Sequence, residues 1–157
     1  MRHLNFTKLI IVLDNKKFRD LLFKKEDITH SYFDQLCSEN NIDKSLTATA
    51  VLVPIISDDK GYKILLTYRS PKLEDHAGQI SFPGGRIDSH DKSPKSTALR
   101  EAHEEIGINE SSIEILGHLD AYATATGFRI LPIVSIVEEG FDLRIVEDTL
   151  NRVGKTE

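Results

Sequence analysis

The chain has 157 residues, 39% of them hydrophobic and 29% charged, with a net charge of −5 and one cysteine. That is the length of one ordinary domain with a globular composition, which excludes a disordered or low-complexity chain and two full-sized domains. The acidic balance gives no global attraction to nucleic acid or an anionic membrane, and one thiol cannot close an internal disulfide, as expected in a reducing, cytoplasmic setting.

Residues 1–45 read as a helical, polar-rich N-terminal extension. Its run Leu9-Ile10-Ile11-Val12-Leu13 is far shorter than the ~18 apolar residues of a membrane span. The run meets Asp14, Lys16 and Lys17 with no small-residue cleavage site, so it reads as packing material rather than a signal peptide. Asp27 or Thr29 can cap a helix carrying Tyr32, Phe33, Leu36 and Cys37 at helical spacing, and Asn40-Asn41 would end it. Cys37 is expected to be an inert helix residue.

A second unit would occupy residues 46–157. Leu46 to Ile56 is rich in Thr, Val and Ile and reads as a strand. A turn cluster follows at Ser57 to Gly61, and Tyr62 to Tyr68 reads as the return strand of a hairpin. A short strand from Gln79 to Phe82 is expected to stop at Pro83-Gly84-Gly85, where a regular ladder is hard to continue. Ser93 to Ile106 reads as a helix with Ser93 as N-cap, Pro94 at its first position and Gly107 as its stop. Ile113 to Leu119 and Ile130 to Val137 read as further strands. This order predicts an α/β (α+β) fold with helices packed on a mixed sheet.

The chemistry gathers on the second helix. At about 100° per residue, Glu101 and Glu105 are neighbours at i and i+4, with Glu104 beside them. Ala98, Leu99, Ala102 and Ile106 form a different, packing face. Like charges at this spacing oppose each other by a few tenths of a kcal/mol per pair, roughly. Arg100 is one counter-charge, and a divalent cation is a stronger one. Hard cations take oxygen ligands and join a few carboxylates to substrate phosphates. A solvated acidic face is the plain alternative for three glutamates. The preceding Phe82-Pro83-Gly84-Gly85 loop favours the metal–phosphate reading, because paired glycines let the backbone approach a ligand.

Gly85, Asp91 and Arg100-Glu101-Ala102-His103-Glu104-Glu105-Ile106-Gly107-Ile108 resemble the Nudix box. Two departures are Asp91, where the family pattern has Glu, and one extra residue between it and Arg100. Upstream, Leu65-Leu66-Thr67-Tyr68-Arg69-Ser70, Gly78 and Phe82-Pro83-Gly84-Gly85 are similar to the coenzyme A pyrophosphatase branch, with Glu74 where that branch has arginine. The resemblance implies a Nudix-like α/β/α sandwich and Mg²⁺ or Mn²⁺ as cofactor. It implies Glu101, Glu104, Glu105 and the Gly85 carbonyl as metal ligands, with Arg100 orienting the carboxylates and Arg69 and Gly84 contacting substrate. Glu104 or Glu105 is the implied general base, unless a loop elsewhere supplies it. The catalytic set is therefore Arg100, Glu104 and Glu105. His76 and His103 are expected to be solvated and Phe82 to lie in the core.

The implied reaction is hydrolysis of a diphosphate linkage in a small nucleotide derivative. Coenzyme A or an acyl-CoA is the leading substrate, giving a phosphopantetheine and adenosine 3′,5′-bisphosphate. The alternatives are another nucleoside diphosphate derivative, such as a dinucleotide or nucleotide sugar, and a non-catalytic binding module of the same fold. No basic stripe with interleaved aromatics points to nucleic acid. The related branch continues past the last strand, with a Glu-Val pair that a weak register places at Thr149-Leu150. Glu138, Glu139 and Glu147 are other acids in this stretch. The expectation is that C-terminal elements are lacking. Another element would replace them, a homodimer partner would complete the fold, or the enzyme would be a shortened one.

Overall fold

The computed structural model describes residues 5–9, 27–59, 61–68 and 79–138. Among the described residues eight strands form one mixed sheet. In chain order the elements are β1 (Asn5–Leu9), α1 (His30–Glu39), β2 (Thr47–Asp58), β3 (Gly61–Tyr68), β4 (Ile80–Ser81) and β5 (Gly84–Arg86). They continue with α2 (Pro94–Ile106), a 3₁₀ turn (Glu110–Ser112), β6 (Ile113–His118), β7 (Tyr122–Ala123) and β8 (Phe128–Val137).

The sheet runs β1-β3-β2-β8-β6, with β4 on β3, β5 on β2 and β7 on β8. The long β2 and β8 pair in parallel from Thr47↔Phe128 to Ile56↔Val137, and every other pair is antiparallel. A bulge between Ile115 and Gly117 interrupts β6. Pro54 lies in the middle of β2, where a missing N–H would ordinarily break the ladder. It is tolerated because β5 pairs with β2 only at Thr49 to Val51 and β3 only from Ile55 onwards. Leu52 N–H points into the gap between them, to Pro83 O at 2.8 Å. Two residues on, Pro54 presents its nitrogen to the same side, where no strand requires a donor.

One face of the sheet carries α1 and α2. Phe33, Leu36 and Cys37 of α1 join Ala98, Ala102 and Ile106 of α2 over Ala50, Leu52, Leu131 and Ile133 in a single core. On the other face Val53, Ile55 and Val134 are buried, and Phe82 is half-buried against them. Arg129 of β8 fastens α1: its Nη1 lies 2.7 Å from an Asp34 carboxylate oxygen, and its guanidinium stands 5.0 Å over the Phe33 ring.

Three sequence expectations change. Within residues 1–45, Asn5–Leu9 is a strand rather than helix, pairing antiparallel with β3 from Asn5↔Tyr68 to Leu9↔Ile64. Among the described residues β3 offers this segment an otherwise free edge along those positions. The short strand does stop before Pro83, at Ser81, but the glycine pair is not an irregular loop, because Gly84–Arg86 forms a new strand on β2. A Cβ on Gly84 would come within 2.5 Å of Ala50 O and 2.6 Å of Val51 Cα, so the missing side chain is what permits this strand. Tyr122–Ala123 adds a short strand to β8 that no run of alternating residues announces. The helices follow expectation: Thr29 Oγ1 caps α1 by accepting from Tyr32 N–H at 3.0 Å, and Asn40 ends it.

Candidate functional site

The α2 helix is held at both ends by its own sequence. Ser93 Oγ accepts from Ser96 N–H at 3.1 Å, Pro94 occupies the first turn, and Gly107 closes the helix at φ 71°, a left-handed conformation that costs glycine little. Thr97, Ala98, Leu99, Ala102 and Ile106 are buried. That fixes the rotation of the helix and turns its carboxylates toward β5.

Glu101 and Glu105 lie against two consecutive residues of that strand. A Cβ on Gly85 would stand 2.5 Å from the Glu101 carboxylate, and Gly84 N–H reaches Glu105 Oε2 at 3.4 Å. The glycine pair thus brings backbone close to both acids. Glu104 points outward, its side chain 55% exposed against 14% for Glu101.

Arg100 ties these acids to a fourth. Its Nε and Nη2 donate to Asp91 Oδ1 and Oδ2, both at 2.9 Å, in a forked pair. Nη1 donates to Glu101 Oε1 at 3.1 Å and to Glu104 Oε1 at 3.3 Å, and Nη2 also reaches Arg86 O at 3.4 Å. Asp91 accepts further from Asp88 N–H at 2.8 Å and Thr97 Oγ1 at 2.9 Å. These donors, the Arg100 fork foremost, hold the Asp91 carboxyl far below the usual carboxylate range although burial opposes them. The same pair raises the Arg100 guanidinium above its ordinary value. Arg100 is thus saturated by acids and sets their positions.

The structure therefore brings together Arg100, Glu101, Glu104, Glu105, Gly84 and Gly85. Arg69, Glu74, His76, Glu139, Glu147 and the Thr149-Leu150 pair lie outside the described residues. His103 is exposed, its Nδ1 3.3 Å from Ile108 O. Sequence reasoning missed Thr97 and His30. Thr97 was legible as a lone hydroxyl on the packing stripe of α2, one turn before Arg100. His30, whose Nε2 is 2.9 Å from Asp91 O, is 61 residues away in sequence and left no signal.

Among the described residues no three acidic, histidine or cysteine side chains already form a metal cage. The donors still suit a hard cation, which takes one or two carboxylates and completes its shell with water and substrate phosphates. Glu101 and Glu105 beside the β5 backbone meet that need.

The NUDIX domain family model matches residues 46–152. The chain is 41% identical over 104 residues to the uncharacterized Nudix hydrolase NudL of Citrobacter koseri and to that of Escherichia coli, covering 66% of this chain and 54% of each relative. The chain thus spans about half the length of the curated relatives it matches. Among solved structures, the Mycobacterium smegmatis Nudix hydrolase RenU aligns at TM-score 0.50 with 23% identity, over 59% of this chain and 62% of that one. A Caenorhabditis elegans Ap4A hydrolase aligns at TM-score 0.50 with 16% identity, over 69% and 89%. At these identities the two structures speak for the fold alone.

Proposed function

The chain belongs to the Nudix family, and from that footing we propose that it hydrolyses the diphosphate linkage of a small nucleotide derivative with a divalent cation bound at α2 and β5. The observation that carries this reading is the placement of Glu101 and Glu105 against Gly84 and Gly85, with Arg100 locked by Asp91 behind them. Helical carboxylates alone would be a solvated face. Here one of them is largely buried and both meet backbone that has been cleared of side chains.

A bound Mg²⁺ or Mn²⁺ would neutralise phosphate charge and acidify a water. Glu101 and Glu105 would hold it, with the Gly85 carbonyl as a further oxygen. Glu104, the most exposed of the three and an ion-pair partner of Arg100, would take the proton from the attacking water, with Glu105 as the other candidate base. The water oxygen bonds to phosphorus as the bridging P–O bond breaks, and the leaving phosphate carries the electron pair away. Arg100 keeps the carboxylates in place and touches no substrate.

Coenzyme A or an acyl-CoA is the proposed substrate, supported by the segment from Leu65 to Gly85 that resembles the coenzyme A pyrophosphatase branch. Glu74 favours a second reading, another nucleoside diphosphate derivative, because an acid stands where that branch places a cation. A soluble, cytoplasmic monomer or homodimer would suit either substrate. No helix among the described residues is long and apolar enough to cross a membrane.

The test is incubation with Mg²⁺ or Mn²⁺ and a panel of CoA, acyl-CoA, ADP-ribose, NADH and diadenosine polyphosphates. Preferential CoA cleavage, abolished by Glu105→Gln, is the expected result. Cleavage of another member selects the second substrate reading. Failure to cleave any member would sink the hydrolase reading in favour of a binding module.

A further inference from the structure

The Arg100 guanidinium is consumed by Asp91, Glu101 and Glu104, so an anionic substrate needs another cation near the carboxylates. Arg86 is the residue after the glycine pair. It is exposed, and among the described residues its guanidinium makes no ion pair. It stands instead 5.7 Å over the Phe128 ring, a cation–π placement.

The ladder registers place more groups beside it. Arg86 is opposite Thr49, Thr49 is opposite Ile130, and Ile130 is opposite Tyr122. Residues directly opposite in a sheet share a face, so these four form one row across β5, β2, β8 and β7. Phe128, two residues before Ile130, is on the same face. Tyr122 is 45% exposed, and partial burial raises its hydroxyl pKa. The row thus ends in a free cation on one side and an exposed aromatic on the other, with a second aromatic between.

Successive strand residues point to opposite faces. Gly85 is turned to the Glu101 carboxylate, and Arg86 is turned to the Phe128 side. Among the described residues β5 has one strand partner, β2, and along its other edge Gly84 N–H meets Glu105 and Arg86 O meets Arg100 Nη2. A diphosphate crossing that edge would meet the carboxylates on one face and a cation–aromatic shelf on the other.

We propose that Arg86, Phe128 and Tyr122 form the shelf that binds the nucleotide part of the substrate, Arg86 contacting phosphate and the two rings supporting the base. This rests on the diphosphate reading above. Base stacking on aromatics and charge-assisted contacts to phosphate are the two interactions such a ligand requires.

The test is equilibrium binding of ADP with Mg²⁺ to the full chain, alongside steady-state kinetics on whichever panel member is cleaved. Arg86→Ala alters an exposed side chain and is expected to weaken ADP binding by about tenfold, with the kinetic loss falling on KM. Arg86→Lys should recover part of the affinity, since charge returns without the planar fork. Phe128→Leu keeps apolar volume and should also weaken ADP. Unchanged ADP affinity in both Arg86→Ala and Phe128→Leu would overturn the shelf, as would a wild-type chain that binds no ADP. ADP binding that depends on Arg86 in a chain that cleaves nothing supports the shelf and defeats only the hydrolase reading. Cleavage with KM unmoved by Arg86→Ala does the reverse.

Discussion

Asp91 and Arg100 are joined by two parallel hydrogen bonds of 2.9 Å across the loop that leads into α2. The shorter aspartate reaches the arginine because its loop is pinned: Asp88 N–H and Thr97 Oγ1 both donate to Asp91 Oδ2. The pair is 6% exposed on the acid side and 34% on the arginine side, so solvent screens it in part. Asp91→Asn is expected to cost about 1–3 kcal/mol of stability, read from urea denaturation of both proteins at pH 7.

The pair also fixes a pH dependence. The folded pKa of Asp91 is depressed, below an unfolded value of about 4. Its contribution is therefore complete above the unfolded pKa and is lost as pH falls through that value toward the folded one. The gap in melting temperature between the wild-type chain and Asp91→Asn should hold from pH 8 to 5 and narrow below about pH 4. A gap that instead narrowed on going from pH 5 to 8 would contradict the sign.

Arg100→Lys keeps the charge and loses the fork. One ammonium cannot hold Asp91, Glu101 and Glu104 at once. Residues that orient metal ligands typically contribute about 10–100-fold to metal affinity or activity. A loss of that size in Mn²⁺ affinity, measured by calorimetry on the purified protein, is expected even though Arg100 is not a ligand.

The two glycines should fail differently. On Gly85 a Cβ meets the far end of the Glu101 side chain, which can swing away. Gly85→Ala should therefore fold and lose metal affinity and activity. On Gly84 a Cβ meets Ala50 O and Val51 Cα, which cannot move without breaking the β5–β2 pair. Gly84→Ala should lower the melting temperature, an overpacking cost of about 1–3 kcal/mol. Equal melting temperatures for the two variants would refute the distinction.

The helix α1 is part of the core, and its loss should be felt throughout the sheet. Phe33 is 1% exposed, and Phe33→Ala should cost about 3–5 kcal/mol. His118 Nδ1 is 2.8 Å from Leu119 O, a group that only accepts, so in the neutral ring Nδ1 carries the proton. His118 Nε2 then accepts from the Tyr32 hydroxyl at 3.1 Å. Tyr32→Phe should cost about 1–3 kcal/mol by removing the hydroxyl that donates to that buried nitrogen. Chemical denaturation of both variants measures this.

The sequence by itself determined the parts of this protein that depend on neighbours in the chain. Ser93, Pro94 and Gly107 bound α2, and the 3.6-residue period puts Glu101 and Glu105 on one side of it. These are local backbone and spacing effects, so they are legible without a fold. Tertiary structure decided what distant residues do to one another. The strand at Asn5–Leu9 exists because β3 has an edge to offer, and β5 exists because Gly84 clears the way to β2. The row from Arg86 to Tyr122 draws on residues as far apart in the chain as Thr49 and Ile130 and is created only by the registers of four strands. The same holds for the acidic balance noted at the outset. Composition gives a net charge of −5, while the fold decides that Arg100 is spent on that acid and Arg86 is not.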